Sequence, residues 1–379
     1  MNYYFIYSAG GGAGDWNGIK RIWTDSMPKE MKSSILLKFG DVYLNHVSSN
    51  SIIRQQRWND ISNLRNWLFK ATNDSFVLND SNILLDSGSA KIVAWIAHHN
   101  PSISCCKLIS LFDETIKANN ILEKYVDVII ESNITNAITF DIPNPFKIRS
   151  QNGDTRLNLL NHDNNKSLIE ASAKYANKMY NLLQTKAPYL NIDSILMTTI
   201  NGTWSIDELN YFFSLLNYTP INLGIGGLSS MRRKALNEYI PVLKTLGLHK
   251  YKKIHFLGCG GLDKVKLLKN SGFNEDYFSV DVSTPINRAI DGNTSNTAFS
   301  GYYNYADCKL YRINDKTANM IINMHKEACN PIFSVNEMKE IVASILAHQN
   351  GNSSQETYNA RAKLIIHNND VYKQFAKKN

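Results

Sequence analysis

The sequence has no long apolar run and only a few cysteines. The first absence argues against a membrane-spanning protein, and the second argues against a disulfide-rich one. No hydrophobic segment approaches the roughly 18 residues that a membrane-spanning helix needs. The cysteines at 105, 106, 259, 308 and 329 follow no disulfide-framework spacing, which favours a reducing compartment. The opening MNYYFIYSAGGG lacks the basic segment of a secretory signal. We therefore expect a cytoplasmic protein that does not enter a membrane.

Glycine and proline are too scarce for a fibrous or low-complexity chain. Of 379 residues, 20 are glycine and 9 are proline, while 43% are hydrophobic and 20% are charged, which also excludes wholesale disorder. This length suits one large barrel or two to three smaller domains. The 41 basic residues exceed the 33 acidic ones and give a net charge of +8. Such a balance suits a polyanionic partner such as a nucleic acid, although many basic proteins bind none.

Short apolar runs recur along the first three quarters of the chain. They are rich in β-branched and aromatic residues and do not alternate with polar ones, which is typical of strands buried on both faces of a parallel sheet. Eight strands are predicted: Tyr3–Tyr7, Ile35–Phe39, Ile83–Asp86, Ala137–Asp141, Ile195–Ile200, Ile221–Ile225, Ile254–Gly258 and Tyr277–Asp281. Helix-like stretches such as 166–183 and 205–216 lie between many of them, and Ser205 with Glu208 has the spacing of a capping box. This alternation predicts an α/β fold, a (β/α)8 barrel of the TIM type.

The pattern changes near residue 300. Residues 314–330, 334–349 and 357–378 are predicted helices, and a polar, turn-like stretch precedes the last of them. We therefore expect a barrel over residues 1–300 and a C-terminal helical region over residues 301–379 that packs on the barrel.

Polar residues and glycines follow the predicted strands at their carboxyl ends, where parallel barrels hold their active sites. Six strand ends have this character: Asp86 with Ser87 and Gly88, Asp141, Asn201 with Gly202, Gly226 to Leu228, Cys259 to Gly261, and Asp281. Each signal alone is weak, because an aspartate after a strand is more often a helix cap or turn residue and paired glycines are usually turns. Their coincidence predicts a single polar rim with three carboxylates.

One glycine-rich segment allows an alternative hypothesis. Ile254–Gly261 is an apolar run that ends in glycines, and an acidic residue follows at Asp281, which is the order of features in a nucleotide-binding βαβ unit. The Gly-x-Gly-x-x-Gly pattern of such a unit is incomplete, because Asp263 occupies the position of its third glycine. A Rossmann-type methyltransferase that binds S-adenosylmethionine near Gly258–Gly261 stays open as the alternative from another enzyme class.

Taken in order, the strand-end motifs resemble those of the tRNA-guanine transglycosylases. Asp86-Ser87-Gly88-Ser89 is similar to their Asp-Ser-Gly-Gly signature, Phe140-Asp141 to the start of their Phe-Asp-Glu-Cys segment, and Gly226-Gly227-Leu228 to their Gly-Gly-Leu. Ile200-Asn201-Gly202 falls where they have Val-Gln-Gly, and Ser279-Val280-Asp281 where they have the nucleophile. The Ser-Val-Asp form and the missing second glycine after Gly88 resemble most a divergent branch, the phage and bacterial DNA 7-deazaguanine transglycosylases.

The resemblance implies a reaction. These enzymes exchange a guanine in a nucleic acid for another base by double displacement through a covalent glycosyl–aspartate intermediate. In the divergent branch a 7-deazaguanine of the preQ0 type enters double-stranded DNA, in the host cytoplasm where the gene belongs to a phage. A tRNA substrate, as in queuosine or archaeosine synthesis, is the first alternative, and a catalytically silent transglycosylase subunit is another.

The resemblance also assigns roles to individual residues. Asp281 is the nucleophile, and Asp86 is the general acid/base. The residues expected to bind the base are Asp141, Asn201, Gly226, Gly227, Leu228, Ser87 and Gly88. A carboxylate at 141 suits the N1–H and amino donors of guanine, and an amide at 201 suits O6. The basic cluster of Arg232, Arg233 and Lys234, which follows the Gly-Gly-Leu turn, is expected to contact phosphates.

The chain departs from the tRNA enzymes at their zinc site, a Cys-x-Cys-x-x-Cys motif with a distant histidine. After the nucleophile the chain offers four candidate ligands, Cys308, His325, Cys329 and His348. Of these, His325 and Cys329 are spaced one helical turn apart and could share a metal. A buried cysteine and a surface histidine are the simpler interpretation, so we expect no zinc and no other cofactor.

Overall fold

A computed structural model describes residues 1–7, 27–39, 63–100, 103–143, 162–231, 233–245, 247, 250–273, 276–281, 284–290, 300–352 and 355–378. Eight parallel strands close into a barrel in sequence order, with β8 paired to β1. They are β1 (Asn2–Tyr7), β2 (Ser34–Lys38), β3 (Asn82–Asp86), β4 (Asn136–Ile138), β5 (Leu196–Asn201), β6 (Asn222–Gly226), β7 (Lys253–Phe256) and β8 (Phe278–Asp281). The predicted (β/α)8 barrel is confirmed. The Rossmann alternative is wrong, because that fold needs an open sheet.

Helices surround the barrel and connect its strands. They are α1 (Lys29–Lys32), α2 (Leu64–Thr72), α3 (Phe76–Asn79), α4 (Ser89–His99), α5 (Cys105–Ala118), α6 (Ile121–Glu131), α7 (His162–Lys186), α8 (Ile192–Ile195), α9 (Ile206–Ser214), α10 (Arg233–Thr245), α11 (Leu262–Asn270) and α12 (Thr284–Ile290). The predicted capping box begins α9, where the side chains of Ser205 and Glu208 each accept a hydrogen bond from the other residue's backbone N–H. Within the described ranges, no helix has the length and apolar character to cross a membrane.

The strands alternate between side chains that face the helices and side chains that face the barrel interior. In β8, Phe278 and Val280 pack in an apolar cluster with Leu236 of α10 and Leu268 of α11. Because successive side chains of a strand point to opposite faces, Asp281 points to the interior. The positions of the apolar residues in a strand therefore determine which face of the sheet its polar side chains occupy.

A polar network closes the amino end of the barrel. The Tyr4 hydroxyl accepts hydrogen bonds from the side-chain amides of Asn82 (2.9 Å) and Asn136 (3.3 Å). The ammonium of Lys253 donates to the side-chain oxygen of Asn136 at 2.8 Å. Because these side chains fill the amino end of the barrel, the barrel opens at the carboxyl ends of its strands.

The C-terminal region combines a hairpin with helices. Its elements are β9 (Gly301–Tyr303), β10 (Leu310–Arg312), α13 (Ala318–Lys326), α14 (Val335–Gln349) and α15 (Gln355–Lys378). The antiparallel hairpin of β9 and β10 was not predicted, whereas all three helices were. Helix α15 packs against α11 and α12, and the amide of Asn368 donates to the carbonyls of Pro285 (3.2 Å) and Gly301 (2.9 Å). The region is therefore attached to the helix that follows β8, whereas the division of the chain at residue 300 stays a prediction.

Candidate active site

A cavity of about 420 Å³ opens at the carboxyl ends of the barrel strands. Cavities of this size hold small organic molecules, typically with a few polar groups on largely apolar walls. Its polar and glycine lining consists of Lys38, Asp86, Ser89, Asp141, Asn201, Gly226, Gly227, Ser229, Gly258, Asp281 and Thr284. The structure thus brings the three predicted carboxylates, the amide and two of the predicted glycines together around one opening.

Asp281 ends β8 on the wall of this cavity and is only 5% exposed. Its Oδ1 accepts a hydrogen bond from the Gly258 N–H at 2.8 Å and lies 2.9 Å from Nε2 of His255. Among the described residues, Oδ2 has no hydrogen-bond partner. One oxygen of the carboxylate is therefore held by the barrel, and the other is available to a ligand.

His255 is a site residue that the sequence analysis missed. It lies on β7 inside the barrel, fully buried, with its ring edge-on to Tyr4 at 5.5 Å between centroids. Its Nδ1 lies 2.9 Å from the hydroxyl of Ser279, so both ring nitrogens have a partner on β8. The only signal in the sequence is a lone histidine inside the apolar run 254–258, which is a weak one.

Asp86 and Lys38 lie beside each other on neighbouring strands. They end β3 and β2 and are paired in register, so their side chains point to the same side of the sheet. The Gly88 N–H donates to Oδ1 of Asp86 at 3.3 Å, in a turn where Gly88 has the left-handed φ of 74° and begins α4. Of the described side chains around the cavity, Lys38 contributes the one positive charge. The strand-end rule that found Asp86 would have found Lys38 as well, had it been applied to Ile35–Phe39.

The surroundings of Asp141 alter the acidity of its carboxyl group. Burial raises its pKa to about 7, and the neighbouring Asp86 carboxylate contributes in the same direction. A hydrogen bond from the Ser89 hydroxyl to Oδ1 of Asp141, 2.7 Å long, opposes the shift. Ser89 in turn receives a hydrogen bond from the Ser87 hydroxyl at 3.1 Å. Asp141 therefore changes its charge near neutral pH.

Asn201 and Gly227 contact each other on the wall opposite the β2 and β3 ends. The Oδ1 of Asn201 accepts hydrogen bonds from the N–H (3.0 Å) and hydroxyl (2.9 Å) of Thr203, which leaves the amide Nδ2 for a ligand. Gly227 has a φ of 79°, and a Cβ at this position would lie 2.4 Å from that same Oδ1. Only glycine fits this turn without displacing Asn201.

Three predicted base-binding residues lie near the cavity without lining it. Ser87 is buried and hydrogen-bonded to Ser89, and Gly88 forms the turn below Asp86. Leu228 is fully buried and packs so closely on Gly202 that a Cβ there would lie 2.2 Å from its Cδ2. These three residues lie next to the lining of the cavity and support it, and their predicted contact with the base stays a prediction.

The predicted phosphate-binding cluster is described only in part. Arg232 and the side chain of Arg233 lie outside the described residues, whereas Lys234 is exposed on the first turn of α10. The role of Lys264 was not predicted from the sequence. Its ammonium donates to the carbonyls of Leu228 (2.8 Å) and Ser229 (2.6 Å). Lys264 thus stabilises the turn that carries one wall of the cavity.

The candidate zinc ligands do not converge in the described part of the chain. His325 is buried, its Nε2 donates to the Phe333 carbonyl at 2.8 Å, and its Nδ1 lies 3.3 Å from the Tyr302 hydroxyl. Cys308 is buried and Cys329 is exposed. No group of three or more His, Cys, Asp or Glu side chains that could hold a metal ion occurs among the described residues.

Two comparisons with known proteins give no match. The chain matches no protein-family model, and it matches no curated protein sequence. We therefore infer the function from the geometry of the cavity.

Proposed function

We propose that the protein is a DNA guanine transglycosylase that exchanges guanine for a 7-deazaguanine of the preQ0 type. The observation that supports this most directly is that Asp86 and Asp281, from β3 and β8, line the same cavity. Replacing a base at an N-glycosidic carbon with retention of configuration needs a nucleophile and a separate group that transfers protons. Retaining glycosidases use two carboxyl groups for these two roles.

The two carboxyl groups divide the reaction into balanced halves. Oδ2 of Asp281 attacks C1′ of the nucleotide, the bond from C1′ to guanine breaks, and Asp86 gives its proton to the departing base. A deazaguanine then enters, a ring nitrogen attacks C1′, the ester bond to Asp281 breaks, and Asp86 takes the proton from that nitrogen. The enzyme returns to its starting state, and no oxidant, metal or nucleotide cofactor enters this balance.

We assign the recognition of guanine to the part of the cavity wall at the carboxyl ends of β4, β5 and β6. The ionised Asp141 accepts two hydrogen bonds, from N1–H and the exocyclic amino group, while Nδ2 of Asn201 donates to O6. The bare backbone at Gly227 lets the planar base approach. Adenine has the opposite polarity at this edge, so it would leave these groups unpaired and is rejected.

The target nucleotide must leave the stacked duplex to reach a cavity inside the barrel mouth. Positive charge at this end favours a nucleic acid: Lys38 lines the cavity, and Lys234 is exposed behind its glycine turn. DNA is preferred to tRNA because of the resemblance to the divergent branch. All five cysteines are free, which suits a cytoplasmic location.

The test is transfer of labelled base into nucleic acid. The protein is incubated with radiolabelled guanine or 7-cyano-7-deazaguanine and either duplex DNA or tRNA, and label is counted in each polymer. We expect label in DNA, and we expect Asp281→Ala to lose about 10⁴-fold or more of the rate, roughly 5 kcal/mol. Asp207→Ala, which changes an exposed acid at the start of α9 in the same way, is the matched control. Label in tRNA alone would replace DNA by tRNA as the substrate, and label in neither polymer would overturn the proposal.

A further inference from the structure

His255 is a buried titratable residue that the reaction described above does not use. It is 0% exposed and reaches Oδ1 of Asp281, the oxygen that also accepts the Gly258 N–H. The partners of His255 among the described residues are Asp281 and Ser279 on β8 and the ring of Tyr4 on β1. No other described titratable group forms a hydrogen bond or ring contact with its imidazole.

The contact with Asp281 determines the direction of one hydrogen bond of His255. A carboxylate oxygen only accepts, so Nε2 of His255 bears a proton and donates it to Oδ1 of Asp281 at 2.9 Å. Nδ1 lies 2.9 Å from the Ser279 hydroxyl, which can partner it either as a donor or as an acceptor. Oδ1 of Asp281 thus receives two donors, Nε2–H of His255 and the N–H of Gly258.

We propose, on the basis of the function proposed above, that His255 is a positioning residue that fixes the attacking oxygen of Asp281 and promotes its release. With Oδ1 held by two donors, Oδ2 is the oxygen that attacks C1′. In the resulting ester Oδ1 is a neutral carbonyl oxygen, and the second displacement returns negative charge to it. Donors already aimed at that oxygen stabilise the returning charge, as preorganised donors do in oxyanion holes.

The same donors therefore act in opposite directions on the two halves of the reaction. They stabilise the free carboxylate, which slows its attack on C1′ and speeds its departure from the sugar. Removing the His255 donor should leave a glycosyl–enzyme ester that forms but is not resolved. This imbalance separates a positioning role from a merely structural one, which would slow both halves.

The experiment compares His255→Leu, which removes the donor, with His255→Gln, whose amide nitrogen can occupy the place of Nε2. Each full-length variant is mixed with DNA and labelled base, quenched in denaturant, and assayed for both turnover and covalently bound DNA. We expect His255→Leu to lose about 10²-fold or more in turnover while the bound fraction rises, and His255→Gln to restore part of the turnover. Equal loss in both variants without accumulation of bound DNA would overturn the inference.

A second measurement keeps the inference separate from the proposed function. Nitrogen-15 NMR of the labelled, substrate-free protein reports the protonation of His255 directly. We expect Nε2 of His255 to bear a proton in the wild type, as its hydrogen bond to Asp281 requires. A wild-type ring with no proton on Nε2 would refute the donor role even if base exchange is observed. Base exchange absent from the wild type would instead overturn the proposed function, whatever the spectra show.

Discussion

Asp141→Asn should stabilise the protein increasingly as the pH rises. Burial is the main reason why the pKa of Asp141 rises from its usual 3.8 to about 7, with Asp86 adding to the shift. One pKa unit corresponds to about 1.4 kcal/mol, so the ionised carboxylate costs the folded state at most about 4 kcal/mol. Because the side chain is half-buried, solvent screening reduces this to about 1 to 3 kcal/mol. Asparagine keeps an acceptor for the Ser89 hydroxyl and never bears the charge.

The sign follows from proton binding. Between pH 3.8 and about 7 the folded protein holds a proton on Asp141 that the unfolded chain releases, so this group lowers stability as the pH rises through that window. Urea unfolding at about pH 5 and about pH 8 should therefore show the advantage of Asp141→Asn over wild type growing by about 1 to 3 kcal/mol. Asp207→Asn should show no such growth. An advantage that stays constant, or that shrinks towards alkaline pH, would refute the reasoning.

Two further predictions concern the walls of the cavity. Gly227→Ala should lower the free energy of unfolding by about 1 to 3 kcal/mol and weaken base binding, since φ is 79° and the new Cβ would lie 2.4 Å from Oδ1 of Asn201. Gly226→Ala, whose Cβ would meet nothing closer than 3.8 Å, is the control in the same denaturation assay, and an equal loss of stability there would contradict the steric explanation. Lys38→Gln should weaken DNA binding and reduce the slope of log affinity against log salt by about 1, and an unchanged slope in a titration at several salt concentrations would show that Lys38 makes no phosphate contact.

The barrel was predictable because its strands are buried on two sides. Ile83, Leu84 and Leu85 are all fully buried, some against the barrel interior and some against helices, so an uninterrupted apolar run marks each strand. The hairpin of β9 and β10 was missed because each strand has only three residues, too few to establish a period. The helix predicted over 314–330 begins instead at 318, because the side chain of Asn314 accepts from the N–H of Lys316 and forms a turn.

The carboxylates of the site were predictable for a different reason. The carboxyl ends of parallel strands meet at one end of a barrel, so Asp86, Asp141 and Asp281 could be placed together from the order of strands alone. His255 could not, because a histidine inside an apolar run has the same sequence signal whether it fills the core or serves a site. Its partner lies 26 positions away on the next strand, and only the register of β7 and β8 brings them within 2.9 Å.

That register also determines the direction of the carboxylate. Ile254 pairs with Phe278 and Phe256 with Val280, so the apolar residues of both strands face the helices together. A slip of one residue in this pairing would turn Phe278 and Val280 into the barrel and Asp281 into the helix layer. The packing of these two side chains against the helices opposes that slip, at roughly 1.5 to 3 kcal/mol for each. The apolar residues that stabilise the barrel therefore also aim the carboxylate into the cavity and set the imidazole beside it.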